Sequence, residues 1–212
     1  MIDLYWDEVP ESFCMSADKW LSAYRREKLA RLRVPSLAQA SVGAELLLIR
    51  ALKDRLGEIP LPLEIDCDKQ GKPYLTDHEI QFNLSHSGRY AACALGEMPL
   101  GVDIQLLRSY SPELIRRCFT TAEQRMLMES PEPERTFVQL WTRKESLLKA
   151  VGIGLRAPLS GLDVSGADPV VSFQGESYVF WEQSFTDGQI CLCCPARPEK
   201  EFINCVKVEL PD

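Results

Sequence analysis

The chain has 212 residues, and 45% of them are hydrophobic, enough to bury the core of one large domain or two small ones. Its net charge of −7 disfavours general nucleic-acid binding and attachment to an anionic membrane surface. The first residues carry acids where a signal peptide needs bases, and no apolar run is long enough to span a membrane, so we expect a cytoplasmic protein.

The first hundred residues predict a strand, two helices and a series of short strands. Residues 2–6 predict the strand, residues 16–32 predict the first helix, and residues 44–52 belong to a second helix. Short β-like runs follow, separated by turns that contain Gly or Asp, at residues 63–66, 80–85, 90–95 and 100–105. The first helix carries a basic cluster, which is either a solvated face or a phosphate-binding surface: Arg25, Arg26, Lys28, Arg31 and Arg33.

The second half of the chain predicts helices first and strands afterwards. Ser111, followed by a proline, has the residue type of a helix cap, and Thr120 opens another helix. The longest predicted helix runs over residues 134–150, and the remainder is rich in β-forming residues. This order divides the chain into two α+β halves, residues 1–100 and 101–212.

The eight cysteines do not have the spacing of a zinc site. Cys191, Cys193 and Cys194 cluster within a β-like run, but no second pair and no suitably spaced histidine accompanies them. We therefore expect reduced and mostly buried thiols.

Residues 83–88 join two predicted strands with the sequence Asn-Leu-Ser-His-Ser-Gly. Because neighbours in an extended strand face opposite sides, Ser85 and His86 are poorly placed to act as a hydrolase pair, and no G-x-S-x-G motif is present. Two interpretations stay open. The segment is a turn in which Ser and Asn bond their own backbone, or it is a phosphate site made of hydroxyls, amides and an imidazole.

Two acids lie in positions that invite a functional interpretation. Asp is depleted in strands, yet Asp103 lies between two β-branched residues, so its carboxylate either faces solvent or is held toward a cation. Glu123 follows Thr120 at the spacing of a capping box, and this structural role competes with a metal-binding or base role.

The predicted helix at residues 137–150 carries charges beside its apolar stripe. At about 100° per residue, Glu145 and Lys149 lie next to the stripe and Lys144 flanks its other edge. These charges either form i, i+4 salt bridges on a solvated face or are partly desolvated groups that need a ligand. Together with the acid and Ser-His segments, they predict chemistry at a pyrophosphate with a hard cation. The absence of a Walker loop and of a dinucleotide Gly motif disfavours a kinase or a dehydrogenase.

The chain resembles the Sfp-type 4′-phosphopantetheinyl transferases in five ordered blocks. The blocks are Gly71-Lys72-Pro73, Phe82-Asn83-Leu84-Ser85-His86-Ser87-Gly88, Gly101-Val102-Asp103-Ile104, Phe119-Thr120-Thr121-Ala122-Glu123, and Trp141-Thr142-Arg143-Lys144-Glu145-Ser146 with Lys149. The resemblance implies two similar α+β halves related by a pseudo-two-fold, with the active site in the cleft between them.

The resemblance also implies the residues of that site. Asp103 and Glu145 would bind Mg²⁺, with Mn²⁺ also accepted, and Asp103, Glu145 and Lys149 would be the catalytic residues. Gln105 takes the place of a third carboxylate and is a weaker ligand for a hard cation, while Glu123 would lie behind the metal ligands. Coenzyme A would meet Arg25 and Lys28 at its 3′-phosphate, Gly71 and Lys72 at its adenine, Ser85 and His86 at its phosphates, and Lys144 and Lys149 at its pyrophosphate.

The implied activity is transfer of the 4′-phosphopantetheine arm of coenzyme A, the co-substrate, to a serine of an apo-acyl or peptidyl carrier protein, with release of 3′,5′-ADP. Glu145, directly or through a water, would accept the proton of the serine hydroxyl. The alternative is a metal-dependent pyrophosphohydrolase acting on coenzyme A or a related nucleotide. We expect a monomer whose carrier docks near residues 106–118, where apolar and basic residues mix, unless those apolar residues pack inward.

Overall fold

The structure, a computed structural model of the chain, describes residues 1–10, 19–32, 35–154, 158–196 and 203–207. Within these ranges the protein belongs to the α+β class predicted from the sequence. The described residues form two compact units. One contains the described residues up to Pro99 with the strand at 203–207, and the other begins at Leu100. Arg33 of the basic cluster lies outside the described residues.

The regular elements of the described residues alternate between strands and helices. In chain order they are β1 (Ile2–Glu8), α1 (Ala23–Ala30), α2 (Pro35–Leu56), β2 (Ile65–Cys67), β3 (Pro73–Leu75), β4 (Gln81–Ser87), β5 (Tyr90–Gly96), β6 (Gly101–Leu106), α3 (Pro112–Cys118), α4 (Thr121–Glu129), α5 (Pro133–Val151), a short 3-10 helix (Leu159–Gly161), β7 (Val170–Phe173), β8 (Glu176–Phe185), β9 (Gly188–Pro195) and β10 (Ile203–Lys207).

The first unit is a four-stranded sheet that packs against α2. Its strand order is β10-β1-β5-β4, and β2 pairs with β3 in a separate hairpin. The leucine- and alanine-rich sequence of α2 favours a helix, and Leu47, Leu48 and Leu52 are fully buried in a core that also contains Cys93 and Leu95 of β5. Helix α1, which carries Arg25 and Lys28, contacts α2 and β2, and Gly71 and Lys72 lie in the turn between β2 and β3.

The C-terminal strand differs from the division at residue 100 that the sequence suggested. β10 pairs in parallel with β1, with Ile2 opposite Ile203 and Trp6 opposite Lys207. The range 101–212 therefore contributes a strand to the first unit. The sequence could not indicate this partner because the pairing joins strands about 200 positions apart, whereas turn and cap signals act over a few residues.

The second unit is an antiparallel sheet covered by α5. Its strand order is β6-β9-β8-β7, and α5 packs on β6 and β9. The core between helix and sheet contains Phe137, Leu140 and Leu147 of α5 together with Cys191 and Cys193 of β9. The predicted metal carboxylates lie on this helix and on this sheet.

Local capping signals were predicted correctly. Ser111 caps α3 by accepting from the N–H of Leu114. Thr120 and Glu123 form a reciprocal capping box at the start of α4. The first helix is shorter than predicted, because Ser22 caps it and the described helix begins at Ala23.

Two further findings concern the whole of the described chain. None of its helices is long and apolar enough to cross a membrane. The seven cysteines among the described residues are all free, and Cys14 lies outside these residues. Cys93, Cys191, Cys193 and Cys194 are buried, as the sequence predicted.

Candidate active site

In the second unit, α5 packs closely against β6 at Gly101. A Cβ added to Gly101 would lie 2.1 Å from the carbonyl oxygen of Ser146 and 2.4 Å from the backbone nitrogen of Ala150. Such distances are far inside van der Waals contact, so only glycine permits the backbones to approach this closely. The glycine of the Gly-Val-Asp-Ile block therefore positions the helix against the strand that carries Asp103.

Lys149 of α5 reaches across this contact to Asp103. Its Nζ lies 2.7 Å from Asp103 Oδ1 and donates a second bond, at 2.9 Å, to the carbonyl oxygen of Val102. The side chains of Lys149 and Asp103 are 25% and 9% exposed, so the pair is largely shielded from water, although Lys149 keeps part of its surface. Two residues that the sequence singled out separately thus form one charged pair.

Glu145 lies half-buried on the same helix, one turn before Lys149. Burial raises the pKa of Glu145, and the neighbouring Asp103 carboxylate raises it further, while Lys149 and Arg108 act in the opposite direction. The carboxylates of Asp103 and Glu145 therefore interact electrostatically. Two like charges in a partly buried site are stabilised by a cation between them.

The donor set fits Mg²⁺. This ion takes oxygen ligands and is commonly bound by one or two carboxylates together with substrate phosphates. Among the described residues, no group of three or more His, Cys, Asp and Glu side chains forms a metal site. Gln105 lies two positions after Asp103 on β6, on the same face of the strand, and is half-buried. Its carboxamide adds no third charge to the two carboxylates.

The structure gives Lys144 partners that the sequence did not predict. Its side chain is completely buried, its Nζ lies 2.8 Å from Glu123 Oε2, and it donates to the carbonyl oxygens of Leu159 and Leu162. The ammonium therefore already has a full set of acceptors inside the second unit. Lys144 holds α5 to α4 and to the 3-10 helix, which makes it a poorer pyrophosphate ligand than the sequence suggested.

Glu123 is the buried partner in this arrangement. One of its oxygens accepts from the N–H of Thr120 and the ammonium of Lys144, and the other accepts from the N–H of Val164. Neither Glu123 nor Lys144 has exposed surface. The capping interpretation of Glu123 is therefore confirmed, and both oxygens of its carboxylate have partners within the second unit.

Arg25 is buried in the first unit and is held by two residues of α2. Its Nε donates to Glu45 at 3.0 Å, and its Nη1 donates to Ser41 Oγ at 2.7 Å. Glu45, which has no exposed surface, also accepts from the backbone N–H and the hydroxyl of Ser22. Arg25 therefore fixes the start of α1 on α2, and its compensated charge makes it a poorer phosphate ligand than the sequence suggested.

Lys28 lies one turn further along α1. Its Nζ is 4.5 Å from the centre of the Tyr24 ring. Desolvation of the ammonium, followed by the charge of Arg25, lowers the pKa of Lys28, while the side chain of Cys67 on β2 acts in the opposite direction. Burial, and then Cys67, raises the pKa of Tyr24 to about 12. Since α1 contacts β2, the predicted 3′-phosphate helix lies beside the β2–β3 hairpin.

Gly71 and Lys72 lie in the turn of that hairpin. Gly71 has a φ of +90°, which favours glycine, and the carboxylate of Asp68 accepts from the N–H of Lys72 at 2.9 Å. Cys67 and Pro73 are paired across the hairpin. Burial lowers the pKa of Lys72, and Asp68 opposes this shift. The candidate adenine residues therefore lie in the turn of this hairpin, and the candidate 3′-phosphate residues lie on the helix that contacts it.

Ser85 and His86 lie on β4 just before the turn to β5. Ser85 is 6% exposed and His86 is exposed, as expected for neighbours on opposite faces of a strand. Gly88, with φ of +55°, forms the turn. The two side chains do not converge on one point, so any shared role at coenzyme A involves different parts of that ligand.

Several residues of these sites were missed by the sequence reasoning. Glu45 left one signal, since it is a single acid within the apolar run of α2. Glu182 left none, because its partner Arg143 lies on α5, many residues away. Arg108 was expected only as a basic residue of the carrier-docking segment 106–118, and not beside Trp141 of α5. Gly101 was recognised only as part of its block.

Comparison with known proteins identifies the family. The model of the 4′-phosphopantetheinyl transferase superfamily matches residues 99–195. The 4′-phosphopantetheinyl transferase HetI of Nostoc sp. is 30% identical over 165 residues, which cover 74% of this chain and 69% of that protein. The 4′-phosphopantetheinyl transferase gsp of Aneurinibacillus migulanus is 27% identical over 222 residues, covering 100% of this chain and 93% of that protein. The chain belongs to the 4′-phosphopantetheinyl transferase superfamily.

A further relative is similar over a shorter region. The 4′-phosphopantetheinyl transferase Sfp of Bacillus subtilis (strain 168) is 30% identical over 148 residues, covering 68% of this chain. The match spans 66% of that relative, just under two thirds of its length.

Proposed function

We propose that the protein transfers the 4′-phosphopantetheine arm of coenzyme A to a serine of an apo-acyl or peptidyl carrier protein. The observation that carries this proposal is the cluster of Asp103, Glu145 and Lys149, which combines two interacting carboxylates with a cation in a partly buried site. Membership of the transferase superfamily supports the same chemistry. The predicted location of the site in a cleft between two similar halves remains a prediction.

Asp103 and Glu145 are the residues that would hold Mg²⁺, and Mn²⁺ has the same preference for oxygen ligands. When bound, the ion would neutralise charge on the pyrophosphate of coenzyme A. Lys149 is kept in place by Asp103 and the Val102 carbonyl, and its ammonium supplies a second positive charge for the pyrophosphate. Gln105 would contribute at most a neutral oxygen.

The reaction is a phosphoryl-centred displacement. The serine oxygen of the carrier forms a bond to the β-phosphorus, the bond from that phosphorus to the bridging oxygen breaks, and 3′,5′-ADP leaves. Glu145, directly or through a water, would accept the proton of the attacking hydroxyl, since a carboxylate within reach of that hydroxyl can act as its general base. The serine oxygen thereby gains electron density as it attacks.

Coenzyme A would be recognised by the first unit through Lys28 at its 3′-phosphate and through Gly71 and Lys72 at its adenine. Ser85 and His86 remain candidates for its other phosphates. The carrier would meet the exposed arginines Arg116 and Arg117 of α3, whose charge suits an acidic partner. The apolar neighbours in that segment, Leu107, Leu114 and Ile115, pack against the core of the second unit. We further propose a cytoplasmic monomer that binds neither nucleic acid nor membranes.

Intact-protein mass spectrometry of apo-carrier proteins tests this function. A carrier incubated with the enzyme, coenzyme A and Mg²⁺ should gain the mass of one 4′-phosphopantetheine arm, with one equivalent of 3′,5′-ADP released. Release of 3′,5′-ADP and 4′-phosphopantetheine without a change in carrier mass would show hydrolysis and contradict the proposal. A panel of acyl and peptidyl carriers in the same assay would identify the preferred class.

A further inference from the structure

Three residues of α5, spaced three positions apart, each bond to a different strand of the sheet below. Arg143 bonds to Glu182 of β8, Ser146 Oγ lies 3.3 Å from the sulfur of Cys191 of β9, and Lys149 bonds to Asp103 of β6. Residues at i and i+3 form a ridge that runs obliquely to the helix axis, so one ridge can follow a line that crosses several strands.

The three strand residues form a single row across the sheet. Asp103 is directly opposite Cys191 in the pairing of β6 with β9, and Glu182 is directly opposite Cys191 in the pairing of β8 with β9. Directly opposite residues have their side chains on the same face. The helix is therefore attached to one transverse row, and both its rotation and its position along the sheet are specified by side-chain bonds.

The end of this row that lies furthest from Asp103 is tightly bonded. Arg143 Nε lies 3.0 Å from Glu182 Oε2 and Nη2 lies 2.5 Å from the same oxygen. The remaining Nη1 donates to the carbonyl oxygens of Val164 and Gly166 at 2.8 and 2.9 Å. The side chains of Arg143 and Glu182 are 9% and 18% exposed. A charge-assisted pair so shielded from water is stronger than an exposed one.

From this arrangement we propose that Arg143 and Glu182 are positioning residues for the reaction. They set the rotation of α5 so that Glu145, two positions after Arg143, and Lys149 face Asp103. The expected change in kcat rests on the proposed function. The affinity of the site for Mn²⁺ can be measured without that activity. Neither residue touches substrate; each acts through the helix. Because small misplacements of reacting groups can lower rates by about a hundredfold, loosening the bond of α5 to Glu182 at Arg143 should alter catalysis at Glu145 and Lys149.

The test uses Glu182→Gln and Arg143→Lys in the full-length protein, both of which keep the size of the side chain nearly unchanged. Asp3→Asn is the matched control. Asp3 accepts from Arg55 at 3.1 Å in the first unit, and its side chain is 13% exposed, close to the 18% of Glu182. Three quantities are measured for each variant: the melting temperature, Mn²⁺ binding by electron paramagnetic resonance in the presence of coenzyme A, and kcat with KM for coenzyme A.

We expect all three variants to melt a few degrees below the wild type, as for loss of about 1 kcal/mol in a domain of this size. Only Glu182→Gln and Arg143→Lys should bind Mn²⁺ more weakly, by about fivefold, and lose kcat by about tenfold with little change in KM for coenzyme A. Wild-type Mn²⁺ affinity in both variants would overturn the proposal. Failure of the wild type to modify any carrier would count against the proposed function alone, since the Mn²⁺ titration still decides on the positioning pair.

Discussion

Lys144 and Glu123 form an ion pair at 2.8 Å in which neither side chain has any exposed surface. Lys149, five positions after Lys144 on the same helix, bonds instead to Asp103, and its side chain is 25% exposed. Two lysines of one sequence block therefore have different environments. Lys144 is bonded within the fold, and Lys149 lies where a ligand can reach it.

This difference predicts opposite effects for substitution of the two lysines. Lys144→Met should lower the free energy of unfolding by about 3–5 kcal/mol, because it leaves the charge of Glu123 buried without its partner. Adding Glu123→Gln should recover part of that loss. Lys149→Met should cost less stability than Lys144→Met, because the Lys149 side chain is 25% exposed, but it should raise KM for coenzyme A or lower kcat. Denaturant unfolding and steady-state kinetics of the three variants provide the comparison. A stable Lys144→Met protein with a raised KM for coenzyme A would restore Lys144 as a pyrophosphate ligand.

The raised pKa of Glu145 leads us to predict that its ionisation destabilises the metal-free protein as pH rises. Burial and the Asp103 carboxylate raise its pKa above the ordinary value of 4.5. The folded state therefore holds the proton more tightly than the unfolded state, so ionisation of Glu145 destabilises the fold as pH rises from the ordinary value through the raised one. Glu145→Gln should melt close to the wild type near pH 4 and above it near pH 7.

Mg²⁺ provides the control for that experiment. At neutral pH it should raise the melting temperature of the wild type, because a ligand that binds only the folded state stabilises it, and it should affect Glu145→Gln much less. A difference in melting temperature that is the same at both pH values would show that titration of Glu145 does not contribute.

The roles of Lys28 and Arg25 can be distinguished by comparing coenzyme A with dephospho-coenzyme A as substrates. Lys28→Ala should raise KM for coenzyme A by about tenfold and reduce the preference for it over dephospho-coenzyme A, since loss of one charge-assisted bond to phosphate costs about 1.5–3 kcal/mol. Arg25→Ala should act mainly on stability, because it leaves the buried Glu45 carboxylate without its cation. Arg26→Ala, an exposed neighbour on α1, is the matched control. An equal loss with both forms of the substrate would show that Lys28 does not recognise the 3′-phosphate.

The close contact at Gly101 leads us to predict that stability and metal binding depend on the distance between α5 and β6. Gly101→Ala places a methyl group against the backbone of Ser146 and Ala150, and overpacking of this kind costs about 1–3 kcal/mol. Separation of the two elements should also weaken Mn²⁺ binding by Asp103 and Glu145. Gly161→Ala is the control, since a Cβ there meets nothing within 4 Å. Unchanged stability and metal binding in Gly101→Ala would mean that the helix adjusts without consequence.

The sequence predicted those features of the fold whose interacting residues lie close together along the chain. Caps and turns such as Ser111 and the Thr120–Glu123 box depend on residues three positions apart, and they were predicted correctly. The pairing of β10 with β1 was not predicted, because its partners lie about 200 positions apart. The helix period placed Lys144 at the edge of the apolar stripe, but its partners at Leu159 and Leu162 come from a later segment that the period does not describe.

The same limit applies to the candidate site. The sequence blocks singled out Asp103 and Lys149, and the structure brings these two side chains together. Their roles toward metal and pyrophosphate remain predictions. The compensation of Arg25 by Glu45 could not be predicted, because a basic cluster in sequence does not show which of its members points into the fold. Arg143 was known as part of a block, yet its partner Glu182 lies in a strand without any motif.

The central claim is that Asp103 and Glu145 act as the metal carboxylates of an arm-transfer reaction. It is tested most directly by following the mass of an apo-carrier protein over time with coenzyme A, Mg²⁺ and either the wild type, Asp103→Asn or Glu145→Gln. We predict that the wild type adds one 4′-phosphopantetheine arm and that each variant, while folded, does so at least about a hundredfold more slowly. Transfer at a near-wild-type rate by either folded variant would contradict the account.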